Sequence, residues 1–180
     1  MAKMLYGATM SLDGFIAGHG GDMSWLKPYF GPDPEMDSLV HRVGALLVGR
    51  RTFEGDDPNR GTEHEGAFGG AWDGPTFVLT HHVPADPVPG VTFMDDLEST
   101  VAAAKAAAGD KYVSILGAST ARACLDAGLL DEVLVSVAPV LLGDGTRLFE
   151  RPGGDNVPLE RISLTHGPLA TNIWTRVLPR

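Results

Sequence analysis

Three short segments place hydroxyl or cationic side chains directly after an apolar run, two of them with a glycine at the junction. The first is Val48-Gly49-Arg50-Arg51-Thr52-Phe53. Its glycine lets the backbone approach a ligand, its two arginines supply fixed charge with planar donors, and Thr52 can cap a following helix. That combination suits a phosphate; it equally suits a helix start with solvated arginines. The second is Leu79-Thr80-His81-His82, where Thr80 and the histidines can flank a phosphate or an adenine ring. The third is Leu116-Gly117-Ala118-Ser119-Thr120-Ala121-Arg122. A strand end, small residues and a helix start offer free N–H groups and a positive dipole end to an anion such as a pyrophosphate. An ordinary strand-to-helix turn uses the same residues.

Other chemistries find less support. The chain has no G-x-G-x-x-G, and Gly143-Asp144-Gly145-Thr146-Arg147 lacks the lysine and strand-to-helix setting of a phosphate-binding P-loop. Adjacent histidines on an extended segment point to opposite sides, and none of the six histidines has ligand spacing, so no metal site is expected. Cys124 is the one cysteine. It excludes an internal disulfide and a multi-cysteine zinc site, and its apolar-periodic surroundings predict a buried, inert thiol.

The elements that must position these segments follow from periodicity. Lys3 to Met10 reads as a first strand leading into the loop Ser11-Leu12-Asp13-Gly14-Phe15-Ile16-Ala17-Gly18. Pro34 can open a helix with Glu35 and Asp37 in its first turn and Leu39, Val40 and Val43 along one side. Ala45 to Val48 and Thr76 to Thr80 are buried strands, separated by a long glycine- and charge-rich loop from Glu54 to Pro75. Val91 to Phe93 is a further short strand, and Asp95 or Asp96 caps an alanine-rich helix ending at Gly109. Tyr112 to Leu116 is a strand, followed by a helix from about Ser119 and a long strand from Asp131 to Val140. Leu159 to Thr165 and Thr171 to Leu178 form a terminal antiparallel hairpin. Alternating strands and helices followed by a hairpin predict a single α/β domain over residues 1–180, its mainly parallel central sheet carrying an antiparallel C-terminal edge. In such a sheet ligands bind at the carboxyl ends of the strands, where the three polar segments fall.

Composition fits this reading. With 43% hydrophobic and 21% charged residues the chain is that of an ordinary soluble domain. Its net charge of -9 repels nucleic acid and anionic lipid, so an anionic ligand needs a local basic or amide-lined pocket. No leader-like or membrane-spanning run is present, and a cytoplasmic location is expected.

Taken in order, these segments resemble the dihydrofolate-reductase-like superfamily, and within it the branch related to the C-terminal reductase domain of bifunctional riboflavin-biosynthesis enzymes. The likeness rests on Ser11 to Ala17, Val48 to Phe53, Phe77 to His81, Leu116 to Arg122, Ala127 to Glu132 and Ala138 to Phe149, spanning nearly the whole chain. The resemblance implies an NADPH-dependent reductase, similar to the 5-amino-6-(5-phosphoribosylamino)uracil reductases, with a parallel sheet flanked by helices on both faces and a homodimeric state. It implies that Gly49, Arg50, Arg51 and Thr52 hold the adenosine side of the cofactor, and that Leu79 and Thr80 line the adenine and 2'-phosphate pocket. Gly117, Ala118, Ser119 and Thr120 would meet the pyrophosphate, while Ile16 and Ala17 would lie near the nicotinamide. Two arginines favour NADPH over NADH. Many relatives have two glycines where this chain has Leu116-Gly117, and a cis bond after leucine costs about 3 kcal/mol. Asp56-Asp57-Pro58 resembles the acidic segment of riboflavin-type reductases, although Asn59-Arg60-Gly61-Thr62 departs from the rest of that pattern. A deaminase partner domain would need a Pro-Cys-x-x-Cys zinc segment that one cysteine cannot supply, so only reduction is implied.

The implied chemistry is hydride transfer to a C=N or C=O carbon of a small polar substrate, with a proton supplied by an acid or water. Dihydrofolate reductases place an acid at the start of the first helix, which makes Asp33, Glu35 and Asp37 candidates here. They also serve as ordinary helix-terminal acids. Asp13 is a separate candidate, for fixing the loop or touching substrate. Trp25, Tyr29 and Phe30 can wall a pocket for a flat heterocycle or pack beneath a loop. True dihydrofolate reductase activity, a non-catalytic nucleotide-binding domain and a flavin-type reductase are the rival readings.

Overall fold

The computed structural model describes residues 1–55, 57–86 and 88–179. Its elements in chain order are β1 (Met4–Ser11), β2 (Phe15–Ala17), α1 (Pro34–Arg42), β3 (Val43–Gly49), α2 (Arg50–Phe53), β4 (Thr76–Leu79) and β5 (Val91–Met94). Next come α3 (Leu97–Ala108), β6 (Tyr112–Leu116), α4 (Ala118–Asp126), β7 (Glu132–Ala138), β8 (Thr146–Arg147), β9 (Leu159–His166) and β10 (Thr171–Val177). Eight strands form one sheet in the order β5-β4-β3-β6-β1-β7-β10-β9; β2 and β8 form a separate ribbon. The strands from β5 to β7 run parallel, and β10 and β9 are antiparallel. This is the dihydrofolate-reductase-like arrangement the sequence predicts.

The central strands read as continuous apolar runs because both of their faces are covered. Met4, Tyr6, Ala45, Leu47, Val113 and Ile115 point into the core beneath α3 and α4, with Val101, Ala104, Ala121 and Cys124 from those helices. Leu5, Val43, Leu46, Val48, Val78, Leu134 and Trp174 point to the other face, where Leu39 of α1 is fully buried. Each of the larger aliphatic side chains among them contributes roughly 1.5–3 kcal/mol on leaving water. The predicted inert Cys124 is buried, and loss of water pushes its thiol up to about 12.

Local signals set the boundaries. Asp33 caps α1 by accepting from the N–H groups of Glu35 and Met36, with Pro34 in the first helical position. Asp96 caps α3, and Gly109 ends it at φ 64°. Val43 begins β3 rather than extending the apolar side of α1, because its backbone at the helix end is already extended. Thr52 does not cap a helix. It lies inside the single turn α2, whose N-cap is Gly49. Every described peptide bond is trans, Leu116–Gly117 included.

At the amino edge of the sheet Glu132 is 2% exposed but fully partnered. It accepts from Lys3 Nζ at 2.7 Å, the Tyr112 hydroxyl at 2.9 Å and Trp174 Nε1 at 2.8 Å. This network fastens β1, β6, β7 and β10 at the edge away from the three polar segments. No described helix is long and apolar enough to cross a membrane.

Candidate active site

Parallel strands end at one edge, and at that edge the predicted residues assemble. Reading the sheet order from β4 through β3 and β6 to β1 gives Leu79 and Thr80, then Gly49 to Thr52, then Gly117 to Thr120, then the loop that carries Ile16 and Ala17. Adjacent strands lie about 4.8 Å apart, so this track is roughly 14 Å long. The next strands, β7 and β10, bring Ser136 and Asn172 to the same edge, beside Asp33.

The middle of the track is built by two reciprocal close approaches. Val48 and Leu116 are register partners, so the glycines that follow them stand side by side. A Cβ on Gly49 would lie 2.5 Å from Oγ1 of Thr120, and a Cβ on Gly117 would collide with Oγ1 of Thr52. Each glycine thus makes room for the threonine that follows the other strand. Gly117 also holds φ 103°, which an L side chain rarely adopts. No side chain caps α4, so its first turn faces this edge with its N–H dipoles free of a competing oxyanion.

The two arginines take different tasks. Arg51 reaches across from α2 and donates from Nη2 to the Ser119 hydroxyl at 2.7 Å, which sets its charge at the start of α4. Arg50 turns outward and donates from Nε to both carboxylate oxygens of Glu54, at 2.9 and 3.1 Å. Thr80 is buried, and its hydroxyl accepts from the His82 N–H at 3.1 Å, so it shapes the turn after β4. His81 and His82 are exposed beside it. Ala118 is half-buried and Ser119 exposed on the first turn of α4.

At the other end of the track Ala17 is buried and Ile16 half-buried. Asp13 is tied down within the same loop. It accepts from Ser11 Oγ at 2.6 Å and from the backbone N–H groups of Leu142 and Gly143 at 3.1 and 2.7 Å. The Ser11 hydroxyl first, then the two amides, hold its carboxyl down at about 2.

Asp33 does more than cap α1. Nδ2 of Asn172 donates to both of its carboxylate oxygens at 2.9 Å, and Oδ1 of Asn172 accepts from Ser136 Oγ at 2.5 Å. Oδ1 of Asp33 also takes both capping amides, whereas among the described residues Oδ2 has the Asn172 bond alone. Asp37 is exposed and Glu35 half-buried on α1. Trp25 and Tyr29 contact each other at 6.2 Å within the 3-10 segment Ser24–Tyr29, and Phe30 is exposed. Asp57 organises the long loop by accepting from the N–H groups of Asn59 and Gly66, while Asp56 lies outside the described residues.

Local patterning does not single out Ser136 and Asn172. Their signal is a hydroxyl within Val133-Leu134-Val135-Ser136-Val137 and an amide within Asn172-Ile173-Trp174, polar residues at buried strand positions that demand partners. Among the described residues no group of three or more His, Cys, Asp or Glu side chains could hold a metal ion.

Comparison with known proteins agrees with this architecture. A putative riboflavin biosynthesis protein from Shewanella sp. PV-4 superposes with a TM-score of 0.74 at 25% identity, covering 99% of this chain and 100% of that one. Dihydrofolate reductase from Enterococcus faecalis, complexed with NADP(H), superposes with a TM-score of 0.63 at 19% identity, over 97% of this chain and 95% of that one. The uncharacterized protein YyaP of Bacillus subtilis is 25% identical over 159 residues, 82% of this chain and 80% of its own. Residues 2–168 match the RibD C-terminal domain, and the chain belongs to that family.

Proposed function

We propose that this protein is an NADPH-dependent reductase of the riboflavin-biosynthesis type, acting on a small polar or heterocyclic substrate. The observation that supports the reading is the order of groups along one sheet edge: an apolar and hydroxyl-bearing turn after β4, an arginine pair after β3, an uncapped helix start after β6, and a shaped loop after β1. An extended anion with an aromatic group at each end matches that order. The glycine approaches at Gly49 and Gly117 keep the strand ends open where a side chain would intrude.

In this reading the Leu79 and Thr80 turn flanks the adenine. Arg50 faces the 2'-phosphate, while Arg51, Gly117, Ala118, Ser119 and Thr120 hold the pyrophosphate through charge and backbone amides. Gly49 and Thr52 shape the floor between them. Ile16 and Ala17 wall the nicotinamide and exclude water from it. When bound, the cofactor supplies the hydride. The chain's own task is alignment, which matters because reacting atoms must approach within about 3–3.5 Å.

Proton delivery falls to Asp33. Asp13 is occupied by the loop it fastens and Asp37 is exposed on α1, whereas Asp33 stands at the sheet edge with Oδ2 bonded once. Asn172, held by Ser136, keeps that carboxylate facing the edge. The test is turnover: purified protein mixed with NADPH and a panel of pyrimidine, pterin and carbonyl compounds, followed by loss of reduced-nicotinamide absorbance. Turnover with at least one compound, greatly reduced in Asp33→Ala, supports the assignment. Undiminished turnover in that variant removes Asp33 from the chemistry.

The reading includes a cytoplasmic homodimer. Among the described residues β9 ends the sheet order with no strand on its outer side. Leu159, Ile162 and Leu164 on it are 52%, 43% and 58% exposed, next to an apolar groove of about 430 Å³ lined by Val135, Phe149, Ile173 and Val177. A second copy pairing through β9 would cover both the open edge and the groove.

A further inference from the structure

The segment Gly143-Asp144-Gly145-Thr146-Arg147, which no phosphate-binding role explains, folds back over the loop after β1, and with its neighbours in 140–148 it meets Leu12, Asp13, Gly14, Phe15 and Ala17. Leu12 donates its N–H to the Val140 carbonyl at 2.8 Å, and Leu148 donates to the Gly14 carbonyl at 3.0 Å. Between these bonds the Asp13 carboxylate receives the consecutive N–H groups of Leu142 and Gly143. Arg147 lies over the Phe15 ring at 4.5 Å, and β2 pairs with β8 through Phe15–Arg147 and Ala17–Thr146. Asp144 accepts from His19 Nδ1 at 3.0 Å. Gly145, at φ 133°, lies so close to the Ala17 carbonyl that any Cβ would overlap it.

This second segment is itself anchored. Leu148 and Phe149 pack onto the main core, and the Phe149 ring meets Tyr6 edge-on at 5.4 Å. The loop is anchored through Ser11, which is fully buried and whose Oγ accepts from the Phe15 N–H at 3.0 Å while donating to Asp13. One carboxylate therefore ties two independently fixed segments some 130 residues apart in sequence.

We propose that Asp13 is a positioning residue: it clasps the loop 11–18 to the segment 140–148 and so fixes where Ile16 and Ala17 meet the cofactor. The inference rests on the reading that Ile16 and Ala17 face the nicotinamide. A carboxylate suits this role because two backbone N–H donors arriving together need two negative acceptor oxygens. Asparagine has one acceptor oxygen and would turn its NH2 toward one of the amides. Among the described residues the bonds of the clasp involve none of the adenosine-side groups, so losing it should leave affinity nearly intact while loosening the ring end. Placement errors of about 1 Å cost on the order of 100-fold in rate.

The experiment uses NADPH itself as the probe. Wild type, Asp13→Ala, Asp13→Asn and Arg147→Gln are compared by calorimetric affinity for NADPH, by the emission of the bound reduced nicotinamide, and by hydrogen exchange of peptides covering 11–18 and 140–148. Arg147→Gln loosens the clasp without altering the side-chain bond between Ser11 and Asp13, which covers failure of the Asp13 variants to fold. The expected result is exchange rising together in both peptides, NADPH affinity within about 3-fold of wild type, and loss of most of the nicotinamide emission change. Exchange unchanged in 140–148 would overturn the clasp. Loosening of both peptides with unaltered nicotinamide emission would overturn the positioning role. A wild-type protein that binds no nicotinamide nucleotide sinks the reductase reading instead, and the exchange pattern still decides the clasp.

Discussion

Gly49 and Thr120 are in such close apposition that a methyl group on Gly49 would lie 2.5 Å from the threonine hydroxyl oxygen. Thr120 is 4% exposed and has nowhere to retreat. The end of β3 and the first turn of α4 therefore approach only because residue 49 has no side chain, and this approach brings the arginine pair beside the uncapped helix start.

Gly49→Ala should lower stability by about 1–3 kcal/mol, the usual cost of overpacking, and weaken NADPH binding as the two strand ends part. Adding Thr120→Ala removes the colliding atom. The double variant should recover much of the stability lost by the single one, a coupling that urea denaturation of all four proteins of the cycle measures. Additive losses would mean the two residues do not meet.

Arg50 is held by Glu54, an exposed ion pair of a kind worth no more than about 1 kcal/mol. A ligand phosphate must compete with that carboxylate. Glu54→Gln should therefore tighten NADPH by up to about 5-fold and leave NADH nearly unchanged. Arg50→Ala should weaken NADPH far more than NADH. Calorimetry of both nucleotides with both variants checks the pair of effects.

The Glu132 network gives a stability prediction separate from cofactor binding. Glu132→Leu strands the Trp174 N–H and the Tyr112 hydroxyl, and should cost about 1–3 kcal/mol for each donor left unpaired. The hydrogen bond from Lys3 to Glu132 raises the Lys3 ammonium above its usual 10.5. A raised folded-state value means that this contribution is complete below 10.5 and is lost as pH climbs through the folded value. Urea midpoints of wild type should fall above pH 10.5, and Lys3→Met should flatten part of that fall while NADPH affinity at neutral pH stays the same.

Self-association through β9 predicts a particle of twice 19.0 kDa in light scattering. Charging the edge with Ile162→Lys and Leu164→Glu should return it to 19.0 kDa without loss of helix or sheet content by circular dichroism. A wild-type monomer at micromolar concentration would contradict the dimer.

Much of the fold is legible in the sequence because its strands are buried on both faces. Runs such as Ala45-Leu46-Leu47-Val48 read as strands covered on both faces, and Pro34, Gly109 and the pair Asp95 and Asp96, of which Asp96 is the cap, mark helix ends by their backbone chemistry. The three polar segments are legible for the same reason: each follows such a run. Features that local patterning misses depend on pairing across long sequence distances. Thr52 reads as a cap from its neighbours, yet its place is decided by Gly117 on the adjacent strand end. The partners of Asp13 lie near residue 142 and that of Asp33 at residue 172, so no local window connects them. Gly143 to Arg147 carries a glycine-rich signal whose meaning, a clasp, emerges only once β8 lies against β2.

On the proposed reading this sheet edge holds NADPH. The direct measurement is a calorimetric titration of the purified protein with NADPH and with NADH, followed in parallel by tryptophan fluorescence and repeated with Arg51→Ala. The expected result is NADPH binding with NADH much weaker, and loss of affinity for both in Arg51→Ala, because Arg51, bonded to Ser119, is proposed to hold the pyrophosphate. Absence of binding by either nucleotide to the folded wild-type protein would contradict it.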